Sequence, residues 1–233
     1  MGAYRTVNDA MTAIAEAIRT KTGGTESLTL DQMATEIAGI EGSQNPLLYA
    51  VQSNGLYYGV VFPDGYELKI VAPNHGGKMQ NIFSNAKGIR KVTMEVSTET
   101  EFDLYGFVRE SSIEEVVLPD GIHVTSWNYF AYVNHNLRKV IGRINLSGST
   151  SNGASLNVTN NLEEVYFMPG TIEASINISS EKLIDASVQS VIDGLADLTG
   201  QTTQKLTLKS AVCAKLTDTQ KATITAKNWT LVY

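Results

Sequence analysis

Gly88-Ile89-Arg90-Lys91-Val92, Ser112-Ile113-Glu114-Glu115-Val116, Asn136-Leu137-Arg138-Lys139-Val140 and Asn161-Leu162-Glu163-Glu164-Val165 are four versions of one pentad. Their apolar leaders stand at 89, 113, 137 and 162, so the unit recurs in steps of 24, 24 and 25 residues. Within each pentad, the leader and the valine three residues on read as core, and the charged pair between them as surface. One such unit cannot bury its apolar face alone, but stacked neighbours can. Each leader follows an apolar anchor by six or seven residues: Phe83, Phe107, Phe130 and Leu156. Two units close on similar turns, Leu118-Pro119-Asp120-Gly121 and Met168-Pro169-Gly170. All five prolines (46, 63, 73, 119 and 169) fall at such breaks, where a missing donor costs no ladder bond.

Outward from this block the pattern changes. On the N-terminal side, Tyr57–Phe62, Pro63-Asp64-Gly65 and Tyr66–Val71 read as strand, turn, strand. Gly42-Ser43-Gln44-Asn45-Pro46 reads as a linker. Before it, Met11, Ile14 and Ile18, then Met33, Ile37 and Ile40, mark two short amphipathic helices separated by Gly23-Gly24. Thr29 with Gln32 forms a capping box, and Leu28 staples onto Met33. On the C-terminal side the expected order is a helix over 186–198, a strand over 205–208, a helix over 216–227 and a strand over 229–233. The fold class expected is therefore α/β: a β-rich, leucine-rich-repeat-like solenoid with a short α-helical N-terminal unit and an α/β C-terminal cap. A period of about 24 residues lies in the leucine-rich-repeat range. The expected divisions are 1–42 (helical attachment unit), 47–180 (solenoid) and 181–233 (cap).

Composition narrows the function. The chain has 233 residues, 42% hydrophobic and only 18% charged, which leaves a surface of hydroxyls and amides. A net charge of −6 gives no basic stripe for nucleic acid. No run of about 18 apolar residues is present, so no membrane insertion is expected. No secretion signal is visible in residues 1–20. Charge is uneven: Glu95, Glu99, Glu101 and Asp103 oppose Lys205, Lys209, Lys215, Lys221 and Lys227, which would suit head-to-tail contact in a homo-oligomer.

Chemical motifs are sparse. Cys213 is the single cysteine and excludes an internal disulfide. Asn74-His75-Gly76-Gly77-Lys78-Met79 lacks the first glycine of a phosphate loop and has Met79 where a hydroxyl should meet magnesium. His75, His123 and His135 have no metal-ligand spacing. No catalytic residue, metal site or cofactor is assigned, and no enzyme is expected. A glycosidase-type carboxylate pair stays open, because carboxylates are abundant. The suggestive cluster is aromatic: Trp127, Asn128, Tyr129, Tyr132 and Asn134 fall on the loop side of one unit. Aromatic faces beside amides suit sugar rings, so these five are the candidate ligand-binding surface.

The segment through Phe107, Ile113-Glu114-Glu115-Val116 and Leu118-Pro119 resembles the BspA-type leucine-rich repeat of bacterial surface proteins, over roughly residues 80–180. It lacks that family's regular cysteine or asparagine in the polar stretch. Two further stretches resemble tail- and baseplate-associated proteins of phages and prophages of Gram-positive hosts. One is Ile14–Gly24 with Leu28–Met33; the other runs from Lys205-Leu206-Thr207-Leu208 to Asn228-Trp229-Thr230-Leu231. The resemblance implies a non-catalytic virion protein, structural or receptor-binding in type, with an N-terminal attachment module and a displayed repeat region. Its partners would be other virion proteins or a host cell-surface protein or glycan. Its location would be the virion, or the bacterial cytoplasm during assembly. The alternatives are a bacterial surface adhesion module and a cell-wall carbohydrate hydrolase.

Overall fold

A computed structural model describes residues 15, 16, 18–20, 47–50, 57–71, 78–96, 101–149 and 152–233. The chain divides into two compact units, Met1–Pro46 and Leu47–Tyr233. In the first, residues 15, 16 and 18–20 are helical, with Ala15 and Ile18 buried. Met11, Ile14, Met33, Ile37, Ile40 and the Thr29–Gln32 box lie outside the described residues.

The second unit is built on parallel strands. In chain order they are β1 (Leu47–Ala50), β2 (Val61–Val71), β3 (Lys87–Glu95), β4 (Glu101–Asp103), β5 (Glu115–Val117), β6 (Ile122–Ser126), β7 (Lys139–Asn145), β8 (Asn152–Leu156), β9 (Glu164–Phe167), β10 (Ile176–Ile178), β11 (Gln204–Leu208) and β12 (Trp229–Val232). Three helices follow β10: α1 (Asp185–Gly194), α2 (Ser210–Cys213) and α3 (Asp218–Ala226). One eight-stranded sheet runs β1-β2-β3-β5-β7-β6-β4, with β9 also pairing β7. A four-stranded sheet runs β12-β11-β10-β8.

This architecture corrects the expected fold. The unit is not a β-rich leucine-rich-repeat-like solenoid with a helical N-terminal unit and an α/β cap. It is a parallel α/β sheet curled into a half-barrel with few helices. The strand β7 shows why. It bonds to three strands, β5, β6 and β9, rather than to one neighbour on each side. Its register with β9 shifts between Val140 and Arg143, and Gly142 sits there at φ 96°. A Cβ at Gly142 would lie 2.2 Å from the Leu118 carbonyl oxygen, so glycine permits this bend and close approach. A hydrophobic period specifies where strands recur; it does not specify how many partners a bent strand takes.

A second correction concerns Pro63-Asp64-Gly65. The chain does not turn back there. β2 continues through it, with register shifts against β3 between Val61 and Glu67. A bulge and a turn call for the same residues, a proline with no ladder donor and a glycine at positive φ (Gly65, 76°).

The leaders Ile89, Ile113, Leu137 and Leu162 and the valines 92, 116, 140 and 165 are all buried in one continuous core. An aromatic row runs through it. Tyr57 stacks on Phe83 at 5.3 Å, Phe83 meets Phe107 edge-on at 5.4 Å, Phe107 stacks on Phe130 at 5.9 Å and Phe130 on Trp127 at 4.0 Å. Each such pair adds about 0.5–1.5 kcal/mol beyond area burial. The outward charges alternate in sign from strand to strand. The register places Glu67, Lys91, Glu115, Lys139 and Glu164 in one column. Lys91–Glu115 and Lys139–Glu164 each close at 2.7 Å.

The elements after β10 pack by a few specific contacts. α1 ends at Gly194, short of the expected 198. Lys227 satisfies the orphan carbonyls there, donating to Ile192 (3.0 Å), Asp193 (3.1 Å) and Leu195 (2.7 Å). Burial pushes the Lys227 ammonium below its ordinary pKa. α3 starts on a capping box, Thr217 with Gln220.

Candidate ligand-contact ridge

On the side away from the charged column, the units stack through irregular turns: 57–60, 80–86, 104–111, 127–134 and 157–160. Their backbones form a parallel ladder of their own. Gly59, Asn85, Glu110 and Val133 donate N–H to the carbonyls of Ser84, Arg109, Tyr132 and Asn157 at 2.8–3.1 Å. These four, and Val158 in the next turn, all have left-handed φ, between 54° and 65°. A second left-handed column, four residues earlier, holds Asn81, Gly106 and Tyr129 at φ 54–61°. Asn81 and Gly106 donate to Tyr105 and Asn128. Glycine and asparagine take this conformation readily, whereas other residues pay roughly 1–2 kcal/mol. Tyr129 and the β-branched Val133 and Val158 are therefore outliers within their own columns.

The five residues expected at a ligand surface divide. Trp127 is fully buried: it stacks on Phe130 and meets Phe167 edge-on at 6.5 Å. Its indole Nε1, like Ser155 Oγ, is buried without a hydrogen-bond partner. Asn134 is also fully buried and ties the turn to the strands. Its Nδ2 donates to the Val108 carbonyl, Ser111 Oγ and the Ile113 carbonyl at 3.1–3.2 Å. Its Oδ1 accepts from Asn136 N (3.0 Å) and Leu137 N (3.1 Å). These two residues belong to the interior.

Asn128, Tyr129 and Tyr132 lie half-exposed on the outer face. Tyr129 meets Tyr132 edge-on at 5.3 Å and 86°, and Tyr105 of the preceding turn edge-on at 5.5 Å and 71°. The Arg109 guanidinium lies 5.9 Å over the Tyr132 ring. Its Nε also donates to Glu110 Oε1 at 2.8 Å, which holds the Arg109 pKa above its ordinary value. Lys87 Nζ donates to the Glu110 carbonyl at 2.9 Å. Asp103 accepts from Gln80 Nε2 and from the Tyr105 amide. Further along, Asn85 Nδ2 donates to Tyr58 Oη at 3.2 Å. Tyr105 and Arg109 were missed in the sequence. The signal was present in the repeat itself, since Tyr105 precedes Tyr129 by one step of 24 residues.

Two clefts lie elsewhere. One, of about 520 Å³, is lined by Gly148, Ser149, Glu173, Asp197 and Gln201 among others. Its carboxylates are engaged: Glu173 accepts from the Gly148 amide at 3.1 Å, and Asp197 from the Thr199 hydroxyl (2.7 Å) and amide (3.0 Å). The Thr199 hydroxyl and amide hold Asp197 below its ordinary pKa, the wrong direction for a proton donor. The other, of about 310 Å³, lies between α1, α2 and α3. His123 Nε2 is 2.8 Å from the Ser147 carbonyl and its Nδ1 is 3.4 Å from Glu101. His135 is exposed and His75 lies outside the described residues. Among the described residues no three His, Cys, Asp or Glu side chains group as a metal site would require, and no helix is long and apolar enough to cross a membrane.

No protein family, curated protein or solved structure matches this chain.

Proposed function

We propose that this chain is a non-catalytic contact protein of a virion, tail- or baseplate-associated, structural or receptor-binding in type, and that the tyrosine ridge makes its contacts with a host protein or glycan. The observation that carries the reading is Tyr129. It stands at a left-handed position where the neighbouring turns hold Asn81 and Gly106, and its ring is the centre of the trio with Tyr105 and Tyr132. A residue that costs backbone energy and adds little core packing is retained for what its side chain touches. Tyrosine supplies a large amphipathic contact area at low entropic cost. The resemblance of residues 14–33 and 205–231 to tail-associated proteins supports the virion setting, and with it the partners and location expected above.

The test is binding of the purified full chain to Gram-positive cell surfaces. Wild type should bind, and Tyr129→Gly and Tyr132→Ala should bind about tenfold more weakly, roughly 1.4 kcal/mol. Equal binding by all three proteins, or by none, would remove the ridge from the function.

A further inference from the structure

We propose that the ridge of Tyr105, Tyr129 and Tyr132 is a binding site for an uncharged glycan, with Tyr129 the residue that selects it; the proposal rests on the reading of this ridge as the contact surface.

Three features carry it. The first is geometry. Both ring pairs meet edge to face, at 71° and 86°. In that arrangement the edge of one ring covers a face of its neighbour, and the rings do not close on each other as a parallel stack. The trio keeps aromatic face and phenol hydroxyls together at one place. A sugar ring offers the matching pair, an apolar C–H face and a rim of hydroxyls.

The second is charge. Four ions border the trio, and they balance: Arg109 and Lys87 against Glu110 and Asp103. Each is already engaged. Arg109 is bonded to Glu110, Lys87 to the Glu110 carbonyl, and Asp103 to Gln80 and the Tyr105 amide. An acidic or basic ligand would have to take one of these ions from its partner. A neutral, hydroxylated ligand meets no such cost.

The third is the setting. The rings are interleaved with amides, Asn128 beside Tyr129 and Asn85 bonded to Tyr58. Protein hot spots are instead desolvated anchors in packed apolar pockets. Amide groups between aromatic faces offer donors and acceptors for hydroxyls.

The experiment uses the full chain against two kinds of surface. The first is an immobilised panel of neutral hexasaccharides (glucose, galactose, mannose and N-acetylglucosamine) with uronic-acid and sulfated hexasaccharides beside them. The second is Gram-positive cells, untreated, periodate-oxidised to cleave glycan diols, or protease-treated to remove surface protein. The proposal expects at least one neutral hexasaccharide to bind, with little change on adding salt. Affinity should fall about tenfold or more in Tyr129→Gly and in Tyr132→Ala, while Arg109→Gln stays near wild type. Cell binding should be lost after periodate and kept after protease. Glycine at 129 is compatible with the turn, because Gly106 occupies the same place one unit earlier. Binding confined to charged hexasaccharides, no hexasaccharide bound, or equal binding by Tyr129→Gly overturns the proposal. If no hexasaccharide binds but Tyr129→Gly loses a protease-sensitive attachment to cells, the glycan falls and the contact ridge stands. If Tyr129→Gly binds every surface like wild type, both fall.

Discussion

The two long sides of the repeated region stack the same units at the same step, yet they vary by different rules. On the strand side, positions 91, 115, 139 and 164 change only in sign, and each change pairs with its neighbour. On the turn side, the left-handed positions change in kind: Asn81 and Gly106 give way to Tyr129, and Gly59 and Asn85 to Glu110, Val133 and Val158. Variation that preserves pairing serves the fold. Variation that works against the backbone is where another requirement is being met. That contrast, rather than any catalytic motif, is what directs attention to the ridge.

The contrast can be broken most severely at the residue that joins the two sides. Asn134→Ala removes five hydrogen bonds at once and leaves the buried Val108 and Ile113 carbonyls and the Leu137 amide short of partners. Each unsatisfied group costs roughly 1–3 kcal/mol, so denaturant titration should show a loss of about 3 kcal/mol or more. On the strand side, Gly142→Ala would set a Cβ 2.2 Å from the Leu118 carbonyl oxygen, against backbone that cannot swing away. The loss should be about 2 kcal/mol or more, with the pairing of β7 to β9 weakened in hydrogen exchange.

The turn side should respond in the opposite sense. Val133→Gly frees a β-branched residue from φ 57° and should stabilise by up to about 1 kcal/mol, read as a raised melting temperature. A loss on this substitution would mean that Val133 packs too well for its backbone cost to matter.

The smallest effect concerns pH. Arg143 is bonded to Asp120 between adjacent units and holds its carboxyl at about 2. A depressed folded pKa means the contribution is present above the ordinary carboxylate value of 3.8 and is lost as pH falls through about 2. Both side chains are about half exposed, so the change in stability over that window should be slight and screened by salt. Carboxyl NMR should nevertheless follow Asp120 directly, and Arg143→Gln should return it toward its ordinary value.

Much of this was legible in the residues, and what was not has identifiable causes. Ile89, Ile113, Leu137 and Leu162 announced one core because a strict step repeats four times. The curl of the sheet was not legible, because it depends on Gly142 letting β7 take a third partner. Pro63-Asp64-Gly65 was misread because bulges and turns use the same residues. Trp127 and Asn134 were assigned to the surface because an irregular turn has no period of two or 3.6 to say which side chain faces inward. Tyr105 and Arg109 were overlooked because only one turn was aromatic enough to draw notice, although the step of 24 residues led back to them.

The most direct test of the central claim is the unfolding free energy of Tyr129→Gly beside wild type. If Tyr129 is kept for contact and not for the fold, the variant should be as stable as wild type within about 0.5 kcal/mol, or more stable by up to about 1 kcal/mol as backbone strain is released. A loss of more than about 2 kcal/mol would make Tyr129 a packing residue, and the argument from its left-handed backbone would fail.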